Sequence, residues 1–355
     1  MRAKKTVAIL LSGALFVSSL TGCGMNKNAA AATMNGQEVS LGLANFYCRF
    51  QQASYEDMYK SILGASSSGA NIWTQDLYGN GTTLKDNLKD SVMEELHAMY
   101  TLQAHMEDYK VELTEEEKKA ISQAVTDFMK ENSKEALKEM GADEDIVTEL
   151  LTLYTIKEKM TEAIGAEADT NVSDEEANMR AYSMIKISAA GTTDENGQET
   201  EYTDEEKDEL KDKVRKDMVE ALQKDGATLE SVAKENGYEV TTGTYAKDDS
   251  TLDEDVKKAL DDLKKGETSS LIETDSAYYF VRIDKETDKE ATEQNRESII
   301  STRKSEHYDD VLSGWQKNDG WKVDDKKMAL ISFKNSLTGE DPNASTETES
   351  VQSTQ

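Results

Sequence analysis

The chain begins with an apolar run, Val7 to Leu20, and then turns amphipathic. Thr33 to Val39 alternates around Asn35-Gly36. That dipeptide supplies the two positive-φ positions of a type I′ turn, so a hairpin is predicted, with Ser40 capping a following helix. Residues 64–83, rich in Gly, Ser, Asn and Thr, read as a loop. From Leu84 the pattern is long: Leu88, Val92, Leu96, Met99, Leu102, Met106 and Tyr109 follow at spacings of three and four. Such spacing lines one helix face. The helical rise gives residues 84–109 a length of about 39 Å. Thr114-Glu115-Glu116-Glu117 is a capping box for the next helix, whose apolar side is Ile121, Val125, Phe128 and Met129. A short helix stops at Gly141, another carries Ile146, Leu150, Leu153, Ile156, Met160 and Ile164, and Ser173 to Glu176 is a second capping box.

Near Tyr182 the period shortens. Met184 to Ile187 reads as a strand, and Thr192 to Glu201 as a polar loop. Thr203 to Glu206 caps a helix with Leu210, Val214, Met218 and Leu222. A short helix holds Leu229, Val232 and Ala233; Tyr238 to Thr244 is a second strand. Val256, Ala259, Leu260 and Leu263 make one more helix before the strand Ala277 to Ile283. The order β-α-α-β-α-β suits a small α+β domain. Helix resumes over residues 288–317, and Trp321 to Val323 is a closing strand. Beyond Leu337 the chain is polar and expected to be disordered.

Charge removes one class of partner. With 41 Lys+Arg against 71 Asp+Glu the net charge is −30, the opposite of what a phosphate backbone requires, so no nucleic-acid partner is expected. Two Cys make no disulfide scaffold or Cys-rich metal site. His97 and His105 lie eight residues apart, too far to chelate as an i, i+4 pair, and read as packed or solvated. Neither a metal nor a cofactor is expected. Cys48, between Tyr47 and Phe50, reads as a buried apolar thiol.

The amino terminus resembles a bacterial lipoprotein signal. Arg2, Lys4 and Lys5 precede the apolar core, which ends in the lipobox Leu20-Thr21-Gly22-Cys23. The resemblance implies cleavage before Cys23, a diacylglyceryl group on its sulfur and an acyl chain such as palmitate on the new terminus. Two or more chains anchor stably where one is marginal. Loss of residues 1–22 removes three positive charges and no acid, leaving −33. Such a body is repelled by anionic lipid and is held by its lipid alone.

The lipobox, the Met34-Asn35-Gly36-Gln37-Glu38-Val39 hairpin, the helices, the mixed insert and the returning helix form an ordered set. That set resembles the PrsA/SurA family of extracytoplasmic foldases. The closest echo is residues 252–283, with the Lys265-Gly266-Glu267 turn and the strand Ala277-Tyr278-Tyr279-Phe280-Val281-Arg282-Ile283. The implied architecture is α+β: a helical SurA-like chaperone body with an inserted parvulin-type peptidyl-prolyl isomerase domain. The expected division is signal 1–22, lipidated tether 23–32, helical region 33–180, parvulin-like domain 181–286, helix and strand 287–325 packing on the helical region, and a disordered tail 338–355.

Parvulins carry a His on the first strand, a Met and a Phe in the pocket wall, and a His on the last strand. Alignment puts Ser183, Leu252, Val256 and Tyr279 at those positions. Both histidines are absent, whatever the register, because no His occurs between His105 and His307. The resemblance therefore implies a membrane-anchored chaperone for unfolded or newly translocated secreted proteins, with a degenerate isomerase domain. An active isomerase is the alternative, and a solute-binding lipoprotein a remote one, since solute receptors repeat strand–helix units around a ligand cleft. No hydrolase elbow or phosphate loop is present. Met93, Met99, Met106, Met129, Met140 and Met160, beside Tyr100, Tyr109 and Tyr154, offer an adaptable client surface, although core filling accounts for each of them singly.

Overall fold

The computed structural model describes residues 25–63, 72–79, 81–193, 199–333 and 337. The signal, Cys23 and the tail 338–355 lie outside the described residues. In chain order the elements are β1 (Ala30–Met34), β2 (Gln37–Ser40), α1 (Leu41–Leu63), α2 (Leu84–Ala104), α3 (Glu115–Glu131), α4 (Lys134–Met140) and α5 (Glu144–Gly165). Then come α6 (Asp174–Ala177), β3 (Arg180–Ser188), β4 (Gly191–Thr193), β5 (Glu199–Glu201) and α7 (Asp204–Val214), which runs on as a π-helical stretch Arg215–Glu220. They are followed by α8 (Leu229–Asn236), β6 (Thr241–Tyr245), α9 (Glu254–Asp262), β7 (Ile272–Glu273), β8 (Ala277–Lys285), α10 (Lys289–Gln316), β9 (Lys322–Val323) and α11 (Asp325–Met328). Two compact units result: residues 169–303, and the remainder.

The helical unit is built where the stripes predict. Asn35 (φ 48°) and Gly36 (φ 87°) turn the β1–β2 hairpin, and Ser40 Oγ accepts the Leu43 N–H at 3.1 Å. Thr114 and Glu117 form the reciprocal capping box of α3. Leu88, Val92, Leu96 and Met99 of α2 are buried with Phe46, Tyr47 and Cys48 of α1 and Val147, Leu150 and Leu151 of α5. Each such side chain removed from water contributes about 1.5–3 kcal/mol. Burial pushes the Cys48 thiol up to about 12, so it is inert as a nucleophile at neutral pH. Met93, Met99, Met140 and Met160 are buried, so core filling accounts for them.

Four expectations are revised. First, α2 stops at Ala104; His105 stacks on Trp315 (centroids 4.0 Å apart, 5° between planes), while Met106 and Tyr109 keep the apolar spacing from a turn packed on the same cluster. Second, the span 23–32 assigned to a tether enters strand β1 at Ala30, and Ala31 is fully buried. Third, burial continues past residue 325 through Met328, Ile331, Phe333 and Leu337. Buried charges hold this last segment: Arg49 Nη1 donates to the Ser332 carbonyl at 2.9 Å. Glu56 accepts the Leu337 N–H and the Trp73 indole N–H, both at 3.0 Å. Fourth, the polar stretch 192–201 contains a two-stranded ribbon, β4–β5, in which a Cβ on Gly191 would meet the Thr200 carbonyl oxygen at 2.0 Å. Backbone pairing of polar residues leaves no hydrophobic period to read.

β9 forms where Trp321 to Val323 predicts it and pairs antiparallel with β1. The His97 ring stacks on Trp321 at 4.4 Å and bonds Asp319 Oδ2 at 2.7 Å. His97 thus contacts this segment by packing and hydrogen bonding, and among the described residues no group of His, Cys, Asp and Glu is arranged to hold a metal ion.

The mixed unit centres on an antiparallel sheet ordered β6-β3-β8-β7. It is wider than the span 181–286. Asp288 N–H donates to the Met179 carbonyl at 2.7 Å, and Arg296 pairs with Asp174 at 2.7 Å, binding α6 and the start of α10 into it. Strand residues alternate between faces. Ile185, Ile187, Tyr278 and Phe280 pack with Val214, Met218, Leu229 and Val232 on one side. Tyr182, Tyr279, Val281 and Ile283 pack with Val256 and Leu260 on the other. The second strand starts at Thr241, because Tyr238 and Val240 pack on the first of these clusters.

Candidate functional site

The α9 side of the sheet gathers three of the four sequence-aligned positions. Val256 and Tyr279 are buried in one cluster, and Leu252 packs against it half-buried. Ser183 is not among them. It lies on the opposite face, 3% exposed, and donates from Oγ to Asp284 Oδ2 at 2.6 Å. A one-residue step along a strand moves a side chain to the other face, and the residue on the α9 side is Tyr182. The correction is therefore Tyr182 in place of Ser183 as the β3 residue on the Tyr279 face, with Tyr182 opposite Ile283 and Tyr279 opposite Lys186. The strand's own alternation carried this signal: Tyr182 and Met184 have the parity of one face, Ser183, Ile185 and Ile187 that of the other.

Aromatic rings fill this face. Tyr182 lies opposite Gly243 of β6. A Cβ there would fall 2.7 Å from its hydroxyl and 2.8 Å from Cζ, so glycine is what lets the ring lie against the sheet. Tyr245 meets Tyr182 edge-on, with centroids 5.9 Å apart and planes at 69°. Its hydroxyl accepts from Arg180 Nη1 at 2.9 Å and donates to Asp261 Oδ1 at 3.2 Å. Burial pushes the Tyr245 phenol up to about 12, against the pull of Arg180. Tyr182, Tyr245 and Tyr279 are 9%, 1% and 7% exposed, so the rings pack inward and present little surface to a substrate. Lys186 Nζ lies 5.8 Å from the Tyr279 ring centroid, a cation–π distance.

The other face carries, beside its own apolar cluster, an ion network. Arg282 donates from Nε to Asp284 Oδ1 at 2.7 Å and grips both carboxylate oxygens of Glu230, at 2.7 and 2.5 Å. The guanidinium holds Glu230 down at about 2. Ser183 completes the set, and its hydroxyl is spent on Asp284. A cleft of about 710 Å³ opens beside Tyr245, lined also by Arg180, Lys247 and Asp174. Its charges are paired within the unit: Arg180 with Glu286 at 2.8 Å, Lys247 with Glu175 at 3.0 Å.

Residues 196–295 match the family model of the PPIC-type PPIase domain. That is the parvulin-type likeness read from the order of motifs, and the match covers Leu252, Val256 and Tyr279 but begins after β3. Solved structures similar to the chain include foldase protein PrsA from Lactococcus lactis (15% identity, 85% of this chain and 97% of that one, TM-score 0.33). A PrsA peptidylprolyl isomerase from Bacillus cereus follows (18% identity, 70% and 92%, TM-score 0.31). A third similar structure is that described with PEB4 and Cj1289, two SurA-like chaperones of Campylobacter jejuni (11% identity, 83% and 99%, TM-score 0.28). No curated protein matches the sequence.

Rotating a prolyl bond means crossing a barrier of about 18–20 kcal/mol. A catalyst lowers it with an apolar seat for the ring and polar groups that favour the twisted imide. Phenols and aliphatic side chains occupy this face, and no histidine lies anywhere in residues 106–306.

Proposed function

We propose that the protein is a lipid-anchored extracytoplasmic chaperone of the foldase class, whose PPIC-type domain keeps its scaffold and has lost efficient isomerase chemistry. One observation carries the reading. The α9 face of that domain is packed with buried Tyr182, Tyr245 and Tyr279 and has no imidazole. The lipobox ending in Cys23 supports anchoring outside the cytoplasm, and the net charge of −33 after cleavage suits a holder that keeps aggregation-prone clients dissolved. The clients are unfolded or newly translocated secreted proteins.

The test sets two assays on the purified full chain side by side. One follows isomerisation of a prolyl peptide, the other aggregation of an unfolded protein. Suppressed aggregation without faster isomerisation is the expected pair. Strong acceleration would restore the active-isomerase alternative, and absence of suppression would remove the chaperone. For the anchor, Cys23→Ala should abolish fatty-acid labelling and release the protein from membranes; unchanged labelling would contradict it.

A further inference from the structure

In the helical unit the sheet β2-β1-β9 ends on β9, which among the described residues pairs with β1 alone. Thr33 is opposite Lys322 and Ala32 opposite Val323, and the Asp324 N–H donates to the Ala31 carbonyl at 2.8 Å. Antiparallel partners alternate between hydrogen-bonded and non-bonded pairs. Lys322 and Asp324 are thus the bonded positions, and the N–H and C=O of Val323 face away from β1. The Val323 side chain is 37% exposed. Such an edge is a template for another strand.

A groove of about 430 Å³ adjoins this edge, lined by Val323, Trp321, Asp86, Asp90, Glu94 and Asp325. Asp86, Asp90 and Glu94 recur every four residues along α2 and form one stripe. The groove's lysine, Lys89, is turned inward: it donates to the Met328 carbonyl at 3.0 Å and is 8% exposed. The side chains of Asp90, Glu94 and Asp325 make no hydrogen bond or ion pair among the described residues. Burial, and then Asp86, Glu94 and Asp325, raise the Asp90 carboxyl from its ordinary value, with only a smaller opposing pull from Lys89.

We propose that the Val323 edge and its acidic groove take an extended peptide segment bearing lysine or arginine. The segment pairs its backbone with Val323 as a fourth strand. Its basic side chains reach the carboxylates, with their aliphatic stems over Trp321 and Val323. The chain's own tail is the wrong occupant: residues 338–355 contain four acids and no Lys or Arg. That the segment belongs to an unfolded client rests on the chaperone reading above.

Fluorescence anisotropy on the full chain tests this with a labelled peptide alternating Lys and Val. Two controls replace Lys by Glu or N-methylate alternate residues. The first peptide should bind, more weakly as salt rises, and both controls should bind at least about tenfold more weakly. Asp90→Lys with Glu94→Lys should cost the Lys peptide a similar factor while helical content and cooperative unfolding stay as in the parent. No binding by the parent, equal binding of the N-methylated peptide, or unchanged affinity of the charge-reversed variant overturns the site. Aggregation suppression without peptide binding sinks the site alone. Peptide binding without suppression upholds the site and sinks the chaperone reading.

Discussion

The two faces of the β6-β3-β8-β7 sheet come from alternate residues of the same strands; both bury an apolar cluster, and they differ in what they do with their polar groups. On the α9 side, Tyr182, Tyr245 and Tyr279 are inserted as rings and only Tyr245 has its hydroxyl held between a cation and a carboxylate. On the α8 side, Ser183, Arg282, Asp284 and Glu230 form a closed network in which the hydroxyl and both carboxylates have partners. The first face is held by packing and is sensitive to volume; the second is packed through Ile185, Ile187, Tyr278 and Phe280 and adds a charged network that is sensitive to pH. Fold and function separate in principle, and the proposed loss of chemistry would be a case of it.

Volume should give the largest effect. Tyr245→Ala is expected to destabilise the mixed unit by about 3 kcal/mol, by analogy with large-to-small core substitutions. Tyr245→Phe should cost only about 1 kcal/mol, the usual worth of a hydrogen-bonded hydroxyl. Urea unfolding measures both, and equal losses would mean that the Arg180–Tyr245–Asp261 bonds matter more than the ring. Gly243→Ala should follow at about 1–3 kcal/mol, because the new methyl collides with the Tyr182 ring; a neutral result would show that Tyr182 swings aside freely.

The charged face should respond less. Glu230 is about half exposed, so Arg282→Met is expected to cost about 1 kcal/mol after solvent screening. The smallest effect is a pH slope. Glu230 falls from its ordinary 4.5 to about 2 in the folded state. A carboxyl depressed by folding adds stability above the unfolded value, and that stability is lost as pH falls through 4.5 toward 2. Glu230→Gln should flatten the slope in that window, and a slope of unchanged size would remove Glu230 as its source.

Much of this was legible in the chain. Asn35-Gly36 and Thr114 with Glu117 specify local geometry and appear as read, and the stripe from Leu84 does so as far as Leu102. The face of Ser183 was misjudged because alignment by motif ignores parity, whereas burial follows it. Arg49 and Glu56 were invisible, since a charged residue on a helix normally marks its wet side; here they are buried and tie down residues 332 and 337. That contact joins positions nearly three hundred residues apart, and no local period encodes it.

The central claim is that the PPIC-type domain has the fold without the chemistry. Exchange spectroscopy on an Ala-Pro peptide, with catalytic amounts of the full chain, tests it most directly. The account predicts cis and trans resonances that exchange no faster than in buffer. Exchange cross-peaks that grow with protein concentration and vanish when Tyr182 and Tyr279 are both replaced by Phe would contradict it.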